Sequence, residues 1–117
     1  MYLMRSNKTV SGLEGVSQRC QIVQEYMAGG NLHKFIKNNP EKLDVDTIKL
    51  FTSQIISALK KMHVFKIKHQ DLKPENIMLK ENQRHLKIID FGLASNYGMT
   101  IKRKSACAGT YNYMAPE

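Results

Sequence analysis

The sequence has few cysteines, and it contains no long run of apolar residues. Two cysteines, Cys20 and Cys107, among 117 residues are too few for a disulfide scaffold and suit a reducing compartment. No apolar run approaches the roughly 18 residues of a membrane-spanning helix, and the first four residues are followed at once by Arg5, so no secretory signal is recognisable. These absences predict a cytoplasmic location, with the nucleus as the alternative, and no membrane partner.

Acidic residues are also scarce, since ten Asp and Glu stand against 18 Lys and Arg and leave a formal net charge of +8. Such a charge permits binding to nucleic acids or to acidic surfaces. The basic residues are spread along the chain, however, and no aromatic residues alternate with them as in a nucleic-acid platform. A basic nucleic-acid-binding fragment is therefore the weakest interpretation. No Cys or His cluster has metal-site spacing.

Hydrophobic periodicity predicts one strand and two helices in the first half of the chain. Residues 21–27 have the β-branched and aromatic composition of a strand. The strand is predicted to end at residues 28–30, which read AGG. Asn31 is an N-cap type, and a short helix over 31–37 would place Leu32, Phe35 and Ile36 on one face. The strongest helix is predicted over 45–64, where an apolar stripe at helical spacing is expected to be core: Ile48, Phe51, Ile55, Leu59 and Met62.

Two short apolar runs, 76–80 and 85–89, flank polar residues 81–84 and predict a β-hairpin. Because the two ends of a hairpin lie side by side, this hairpin would bring Asn76 close to Asp90. Residues 1–19 show no clear period and are predicted to contain turns and loops.

Four motifs stand in a fixed order along the rest of the chain. Residues 69–76 read HQDLKPEN, 90–92 read DFG, 109–110 read GT, and 115–117 read APE. With 24–30, which read QEYMAGG, this ordered set resembles the hinge, catalytic loop, metal-binding motif and activation segment of Ser/Thr protein kinases. The resemblance implies ATP- and Mg²⁺-dependent phosphate transfer to Ser/Thr hydroxyls of protein substrates.

The resemblance also implies roles for the loop residues. Asp71 would be the base that accepts or orients the proton of the acceptor hydroxyl, and Lys73 would meet the transferring phosphoryl group. Asn76 and Asp90 would be the oxygen ligands of Mg²⁺, which takes few protein ligands beside the substrate phosphates. Taken singly, Asp71 and Asn76 are equally typical of caps and turns.

Further positions follow from the same resemblance. Gln24 would gate the pocket behind the adenine, the backbone of Glu25 and Met27 would bind the adenine edge, and Met78 would form the floor beneath it. Thr110 matches the residue that contacts the catalytic Asp and loop Lys, which favours Ser/Thr acceptors. In the activation segment, Ser105 or Thr100 is a candidate phosphorylation site, and an exposed loop is the alternative interpretation.

The chain departs from the family pattern in two respects. Gln70 stands where the family carries Arg, and a neutral amide cannot form a bidentate charged pair with an activation-segment phosphate. We therefore predict that activity does not depend on such a pair. In addition, residues 1–19 contain no Gly-rich phosphate loop and no V-A-I-K lysine, since Gly12, Gly15 and Lys8 do not match these motifs.

These features together predict an α+β, protein-kinase-like fold in partial form. We expect the hinge and the front part of the large, mainly helical C-terminal lobe, with the N-terminal lobe absent. Residues 1–19 form an unassigned segment, and 20–117 form a partial kinase domain. The alternative is a catalytically inactive kinase-derived protein that binds a partner kinase or regulatory protein.

Overall fold

The computed structural model describes residues 2–5, 21–96, 109–114 and 116. Across these residues, two α-helices accompany three antiparallel strand pairs, β1 with β2, β3 with β6 and β4 with β5. In chain order the elements are β1 Tyr2–Arg5, β2 Gln21–Gln24, α1 Leu32–Asn38, α2 Val45–Val64, β3 Ile67–Lys68, β4 Ile77–Leu79, β5 Leu86–Ile88 and β6 Ser95–Asn96. This mixture of helices and antiparallel pairs agrees with the predicted α+β class.

Strand β1, Tyr2–Arg5, lies in the segment that the sequence analysis left unassigned. It pairs with β2 in a register that runs from Tyr2 opposite Gln24 to Arg5 opposite Gln21. The strand was not predicted because four residues carry little local signal and a strand of this length is stabilised by its partner strand. Strand β2 is in turn shorter than the predicted strand over 21–27, since it ends at Gln24.

Helix α2 has the predicted bounds, and the residues at each end of the helix explain why it begins and ends there. The Asp44 carboxylate accepts a hydrogen bond from the Thr47 backbone N–H at 2.7 Å, which caps the first turn. Lys61 and His63 lie in the last turn, where positive charge complements the helix dipole. The chain therefore encodes this helix locally, through its period, its cap and its end charges.

The apolar stripe of α2 is only partly core. Phe51 and Met62 are buried and Ile55 and Leu59 are half-buried, but Ile48 is 51% exposed, which corrects the prediction at that position. Among the described residues, none covers this part of the helix. Helix α1 has Leu32, Phe35 and Ile36 at the predicted helical spacing, with Leu32 and Phe35 buried and Ile36 exposed.

A small core joins both helices to the β4–β5 hairpin. Phe35 of α1 and Phe51 of α2 meet edge to face, with ring centroids 5.7 Å apart. The buried members of the cluster are Leu32, Phe35, Phe51, Ile77 and Leu79. Since β4 contributes both Ile77 and Leu79, burial holds this strand firmly in place directly after the catalytic-loop motif.

Gln54 of α2 fixes the far side of the hairpin through both of its amide atoms. Its Nε2 donates to the Arg84 carbonyl at 2.8 Å, and its Oε1 accepts from the Leu86 N–H at 2.9 Å. The hairpin is thereby linked to the helix by one hydrogen bond from β5 and one from the turn before it, as well as by packing. The predicted hairpin is present, with Ile77 opposite Ile88 and Leu79 opposite Leu86.

The segment after β2 is docked on β4 through two glycines. The Gly29 N–H donates to the Leu79 carbonyl at 3.0 Å, and the Leu79 N–H donates to the Gly30 carbonyl at 2.8 Å. A Cβ at Gly29 would lie 2.2 Å from the Lys80 carbonyl oxygen, so the two backbones approach too closely for any other residue. The glycine is therefore required by contact rather than by its backbone angles.

Gly29→Ala is expected to lower the free energy of unfolding by about 1–3 kcal/mol, as overpacking does, because the added methyl must push the 24–30 segment off β4. Urea unfolding followed by circular dichroism measures the change. Gly30→Asn is the matched control, because nothing lies within 4 Å of that position and Asn tolerates its φ of +74°. Equal losses for the two variants would contradict the contact argument.

Candidate catalytic site

Two left-handed residues shape the loop that carries the HQDLKPEN motif. Lys66 has a φ of +58° and turns the chain out of α2 into β3, and Gln70 has a φ of +66°. Non-glycine residues rarely adopt this conformation, and such outliers often accompany functional loops. The reversal at Gln70 lies between His69, which points into the protein, and Asp71, which begins the polar cluster described below.

His69 attaches this loop to the end of strand β5. Its buried ring contacts the Ile89 carbonyl through Nε2 at 2.9 Å and accepts the Asp71 backbone N–H on Nδ1 at 3.3 Å. These partners require a neutral ring with the proton on Nε2. The ring also lies 5.1 Å from that of Phe91, centroid to centroid. His69 therefore positions Asp71. The sequence did not reveal this role, because a sequence motif shows which residues are present but not which atoms they contact.

Asp71, Lys73 and Thr110 form a closed triangle of short contacts. The Thr110 hydroxyl donates to Asp71 Oδ1 at 2.7 Å and accepts from Lys73 Nζ at 2.7 Å. Lys73 Nζ also lies 3.0 Å from Asp71 Oδ2, with the Lys and Asp side chains 22% and 12% exposed. Three predicted site residues thus meet, one of them nearly forty positions from the others in the chain (residue separations of 37 and 39).

Asn76 closes the loop on the other side of Asp71. This buried side chain donates from Nδ2 to the Asp71 carbonyl at 2.8 Å and to Asp71 Oδ2 at 3.0 Å. Both bonds use the amide nitrogen, so the Asn76 Oδ1 atom takes no part in them. The loop between the two residues is consequently rigid, and it presents an oxygen of the type that Mg²⁺ binds.

The surroundings of Asp71 keep it ionised. The hydrogen bond from Thr110, followed by the one from Lys73, lowers the pKa of the Asp71 carboxyl from 3.8 to about 2. Because the pKa is lower in the folded state, this stabilising contribution is fully present above pH 3.8 and is lost as the pH falls toward 2. At neutral pH the group is an anion that accepts hydrogen bonds from three side chains.

Thr110→Val is expected to raise the pKa of Asp71 toward 3.8, because it removes the largest cause of the shift with little change in volume. Carbon-detected NMR titration of the Asp71 carboxyl measures this pKa directly. Thr52→Val on the exposed face of α2 is the control and should leave the titration unchanged. An Asp71 midpoint still near 2 in Thr110→Val would show that another contact sets the pKa.

Asp90 directly follows the hairpin that begins at Asn76. The Ile89 N–H donates to the Asn76 carbonyl at 2.9 Å, which extends the pairing by one step and brings the two ends of the hairpin together, as predicted. Asp90 itself has a φ of +62°, is exposed, and accepts the Gly92 N–H on Oδ1 at 3.2 Å. An amide oxygen and a carboxylate are thus placed at one edge, which is a donor set that fits Mg²⁺. Their role as metal ligands stays a prediction.

The four adenine-site candidates lie on two segments that touch. Gln24 is exposed at the end of β2 and Met27 is buried, while Met78 is half-buried in β4. An isolated bridge joins Asn31 to Met78, so the hinge-like segment and the candidate floor are hydrogen-bonded neighbours. The adenine contacts themselves stay predictions.

Glu25 has a contact that the sequence did not indicate. Its carboxylate lies 3.0 Å from Lys80 Nζ and also binds Lys87 Nζ. The hydrogen bonds from Lys87 and then Lys80 lower the pKa of Glu25. Both lysines belong to the hairpin, so this exposed cluster ties the hinge-like segment to it. The sequence could not reveal the cluster, because its members are far apart in the chain and have no local pattern.

Several predicted residues lie outside the described part of the chain. Ser105 and Thr100, the candidate phosphorylation sites, are among them, as are Cys20, Cys107 and Glu117. Over the described ranges, no group of three or more His, Cys, Asp or Glu side chains could hold a metal ion. Nor, over those same ranges, does any helix have the length and apolar character needed to cross a bilayer.

Comparison with known proteins agrees with the motifs. The protein kinase domain family matches residues 4–117. Myosin light chain kinase A of Dictyostelium discoideum is 38% identical over 102 residues, 86% of this chain and 34% of the relative. Serine/threonine-protein kinases ULK3 of Xenopus laevis and ppk25 of Schizosaccharomyces pombe are 41% and 40% identical, each over 82% of this chain.

The chain covers only 20% of ULK3 and 22% of ppk25, so it spans about a third or less of the length of these curated relatives. The family match covers nearly the whole length of this chain. It includes most of residues 1–19, the segment that the motifs left unassigned. ULK3 and ppk25 are named as serine/threonine kinases, in agreement with the acceptor class predicted from Lys73 and Thr110. The chain therefore belongs to the protein kinase family, and by resemblance it is of the serine/threonine type.

Proposed function

We propose that this chain provides the catalytic-loop part of a Ser/Thr protein kinase that transfers the γ-phosphate of ATP to hydroxyls of protein substrates, with Mg²⁺ as cofactor. The observation that carries the proposal is the triangle of Asp71, Lys73 and Thr110, with contacts of 2.7, 2.7 and 3.0 Å. A binding module has no need of a carboxylate, an ammonium and a hydroxyl held this closely. We further assign the chain to the hinge and front part of the large kinase lobe.

In this mechanism Asp71 orients the acceptor hydroxyl. A carboxylate with a pKa of about 2 is a weak base, so it accepts a hydrogen bond from the substrate hydroxyl and takes the proton only as the oxygen bonds to phosphorus. His69 and Asn76 hold the backbone of Asp71 in place: the Asp71 N–H donates to His69, and the Asp71 carbonyl accepts from Asn76. The acceptor oxygen is thereby kept in line for attack, which is the main task of a phosphotransferase.

Lys73 supplies positive charge beside the reacting groups. Its Nζ is held between Asp71 and Thr110 and is still 22% exposed as a side chain, so it can interact with phosphate oxygens on the open side. A point charge fixed in advance stabilises the charge that develops on those oxygens. The Thr110 hydroxyl keeps this ammonium next to the position of the acceptor, which suits the short side chains of Ser and Thr.

Asn76 and Asp90 would hold Mg²⁺, and the adenine would lie between the 24–27 segment and Met78. When bound, Mg²⁺ neutralises charge on the phosphate oxygens. Asp90 is free to take this role because it is exposed and its only described side-chain hydrogen bond comes from the neighbouring Gly92 N–H. The Glu25 cluster with Lys80 and Lys87 would keep the two walls of the adenine site together.

The test is transfer of γ-labelled phosphate from ATP to a peptide library that contains Ser, Thr and Tyr acceptors. We expect label on Ser and Thr, no label on Tyr, and a requirement for Mg²⁺. Lys73→Met should lower the rate by about 10²-fold by removing a preorganised charge. Lys34→Met, at an exposed position on α1, is the matched control and should be neutral.

Label on Tyr would contradict the proposed acceptor class. No transfer by a folded protein that contains this chain together with a nucleotide-binding lobe would contradict the enzyme proposal. That second result would favour the alternative, a kinase-derived binding protein, which the exposed apolar side chains of Val45, Ile48 and Ile56 on α2 also suit.

A further inference from the structure

The turn that ends helix α2 carries an unusual combination of exposed side chains. Val64 and Phe65 are 70% and 72% exposed, although both are apolar. Lys60, Lys61, Lys66 and Lys68 surround them in the sequence and are also exposed. We call residues 60–68 the basic turn. None of its residues takes part in the contacts among Asp71, Lys73 and Thr110, and the proposed phosphate transfer does not use it.

Backbone geometry places Phe65 at the outer corner of this turn. Its N–H donates to the Lys61 carbonyl at 3.1 Å, which completes the last turn of the helix, and the Lys66 N–H then donates to the His63 carbonyl at 3.0 Å. Lys66 follows in the left-handed conformation, with φ of +58°, and redirects the chain into β3. In a helical turn, residues three and four apart are neighbours, so Lys60 and Lys61 flank Val64 and Phe65.

The positive charge of the basic turn is largely uncompensated. Residues 60–68 include no Asp or Glu. Across the described residues, no carboxylate forms an ion pair with Lys60, Lys61 or Lys66. Around this exposed apolar corner, the ammonium groups of Lys60, Lys61 and Lys66 are therefore available to an anionic partner.

Local stability does not account for this composition. The helix dipole favours positive charge at the end of α2 and explains Lys60 and Lys61. It does not explain two exposed apolar residues, and it does not explain a lysine at a left-handed position where glycine is the least strained residue. At this position a lysine adds a positive charge, although its left-handed backbone conformation is more strained than that of a glycine would be.

We propose that the basic turn binds the surface of an anionic phospholipid membrane, with Phe65 and Val64 inserted among the lipids and the lysines at the headgroups. Val64 and Phe65 are both at least 70% exposed, so their side chains can insert into a fluid interface. Apolar side chains combined with flanking lysines are the pattern of interfacial anchors, and lysine stems can lie along the lipid while their charges stay in water. Such a contact needs no membrane-spanning segment, and it would overturn the expectation of no membrane partner, which rested on the lack of a long apolar run and of a secretory signal.

The chain contains no tryptophan, which permits a direct test of insertion. Phe65→Trp in the full 117-residue chain should show fluorescence that shifts to shorter wavelength on vesicles of phosphatidylcholine with phosphatidylserine, and no shift on phosphatidylcholine alone. Val45→Trp, at a similarly exposed apolar position at the other end of α2, is the control and should not shift. Equal shifts at both positions would overturn the proposal, since they would indicate general adsorption.

Charge variants test the same surface by cosedimentation with the mixed vesicles. Lys60→Glu with Lys61→Glu should lower the partition constant by more than about 25-fold, because each neutralised lysine alone is worth about fivefold. Lys34→Glu with Lys37→Glu on α1 changes the net charge equally and should have a much smaller effect. Equal losses for the two pairs would reject the basic turn as the site.

Lys66→Gly separates binding from folding. Glycine suits the left-handed conformation at this position, so the variant should unfold at an equal or higher urea concentration, yet bind the vesicles about fivefold more weakly. Unchanged binding by Lys66→Gly, or the absence of any phosphatidylserine-dependent binding by the unmodified chain, would overturn the proposal. Binding of the unmodified chain to a polyglutamate peptide but not to the vesicles would instead indicate an acidic protein partner and would also overturn it.

Discussion

Replacing Asp71 by Asn should lower the rate of phosphate transfer by about 10²–10⁴-fold, the range for loss of a positioned general base. The amide has the same shape, but its nitrogen cannot accept the hydrogen bonds that Thr110, Lys73 and Asn76 now donate to the two carboxylate oxygens. The acceptor hydroxyl would then lose its orientation, and Lys73 would lose the anion that holds it in place. Transfer of labelled phosphate to a Ser/Thr peptide measures the effect.

Asp46→Asn is the control for this substitution. Asp46 is an exposed carboxylate in the first turn of α2, so its replacement makes the same change of charge and shape far from the loop. We expect its rate to match that of the unmodified chain. If Asp71→Asn retained a rate within a factor of about three of Asp46→Asn, well inside the 10² expected of a catalytic base, Asp71 would not be the base.

Replacing Leu79 by Ala should lower the free energy of unfolding by about 2–5 kcal/mol, as for other buried leucines. Leu79 is 0% exposed, and its backbone also holds Gly29 and Gly30. Because a native domain is stable by only about 5–15 kcal/mol, a loss of this size removes a large fraction of the total. The measurement is urea unfolding, with the helical signal of α2 as the observable.

Ile56→Ala is the matched control for the core. Ile56 lies in α2 and is 59% exposed, so its truncation leaves no buried cavity and should cost less than about 0.5 kcal/mol. Comparable losses in the two variants would mean that α2 packs against something that covers Ile56 in solution. That result would point to a partner or a self-association on this face of the helix.

The extent of agreement differs between elements for physical reasons. Helix α2 and the β4–β5 hairpin were predicted well, because a helical period, an Asp cap and two apolar runs around a polar turn all lie within short stretches. Strand β1 was missed, because it depends on pairing with β2. The exposure of Ile48 was also missed, because periodicity shows which face is apolar but not whether another element covers it.

The amino-acid sequence by itself determined the family, the likeness to serine/threonine kinases and the chemistry of each candidate site residue. These follow from side-chain types in a fixed order, which no folding step can alter. Tertiary structure alone decided that His69 meets the Ile89 carbonyl and that Glu25 meets Lys80 and Lys87. It also set the short distances from Thr110 to Asp71 and Lys73, a contact that the family resemblance predicted. The reason is that these pairs come from distant segments, and packing of the hairpin against α1 and α2 sets their separations.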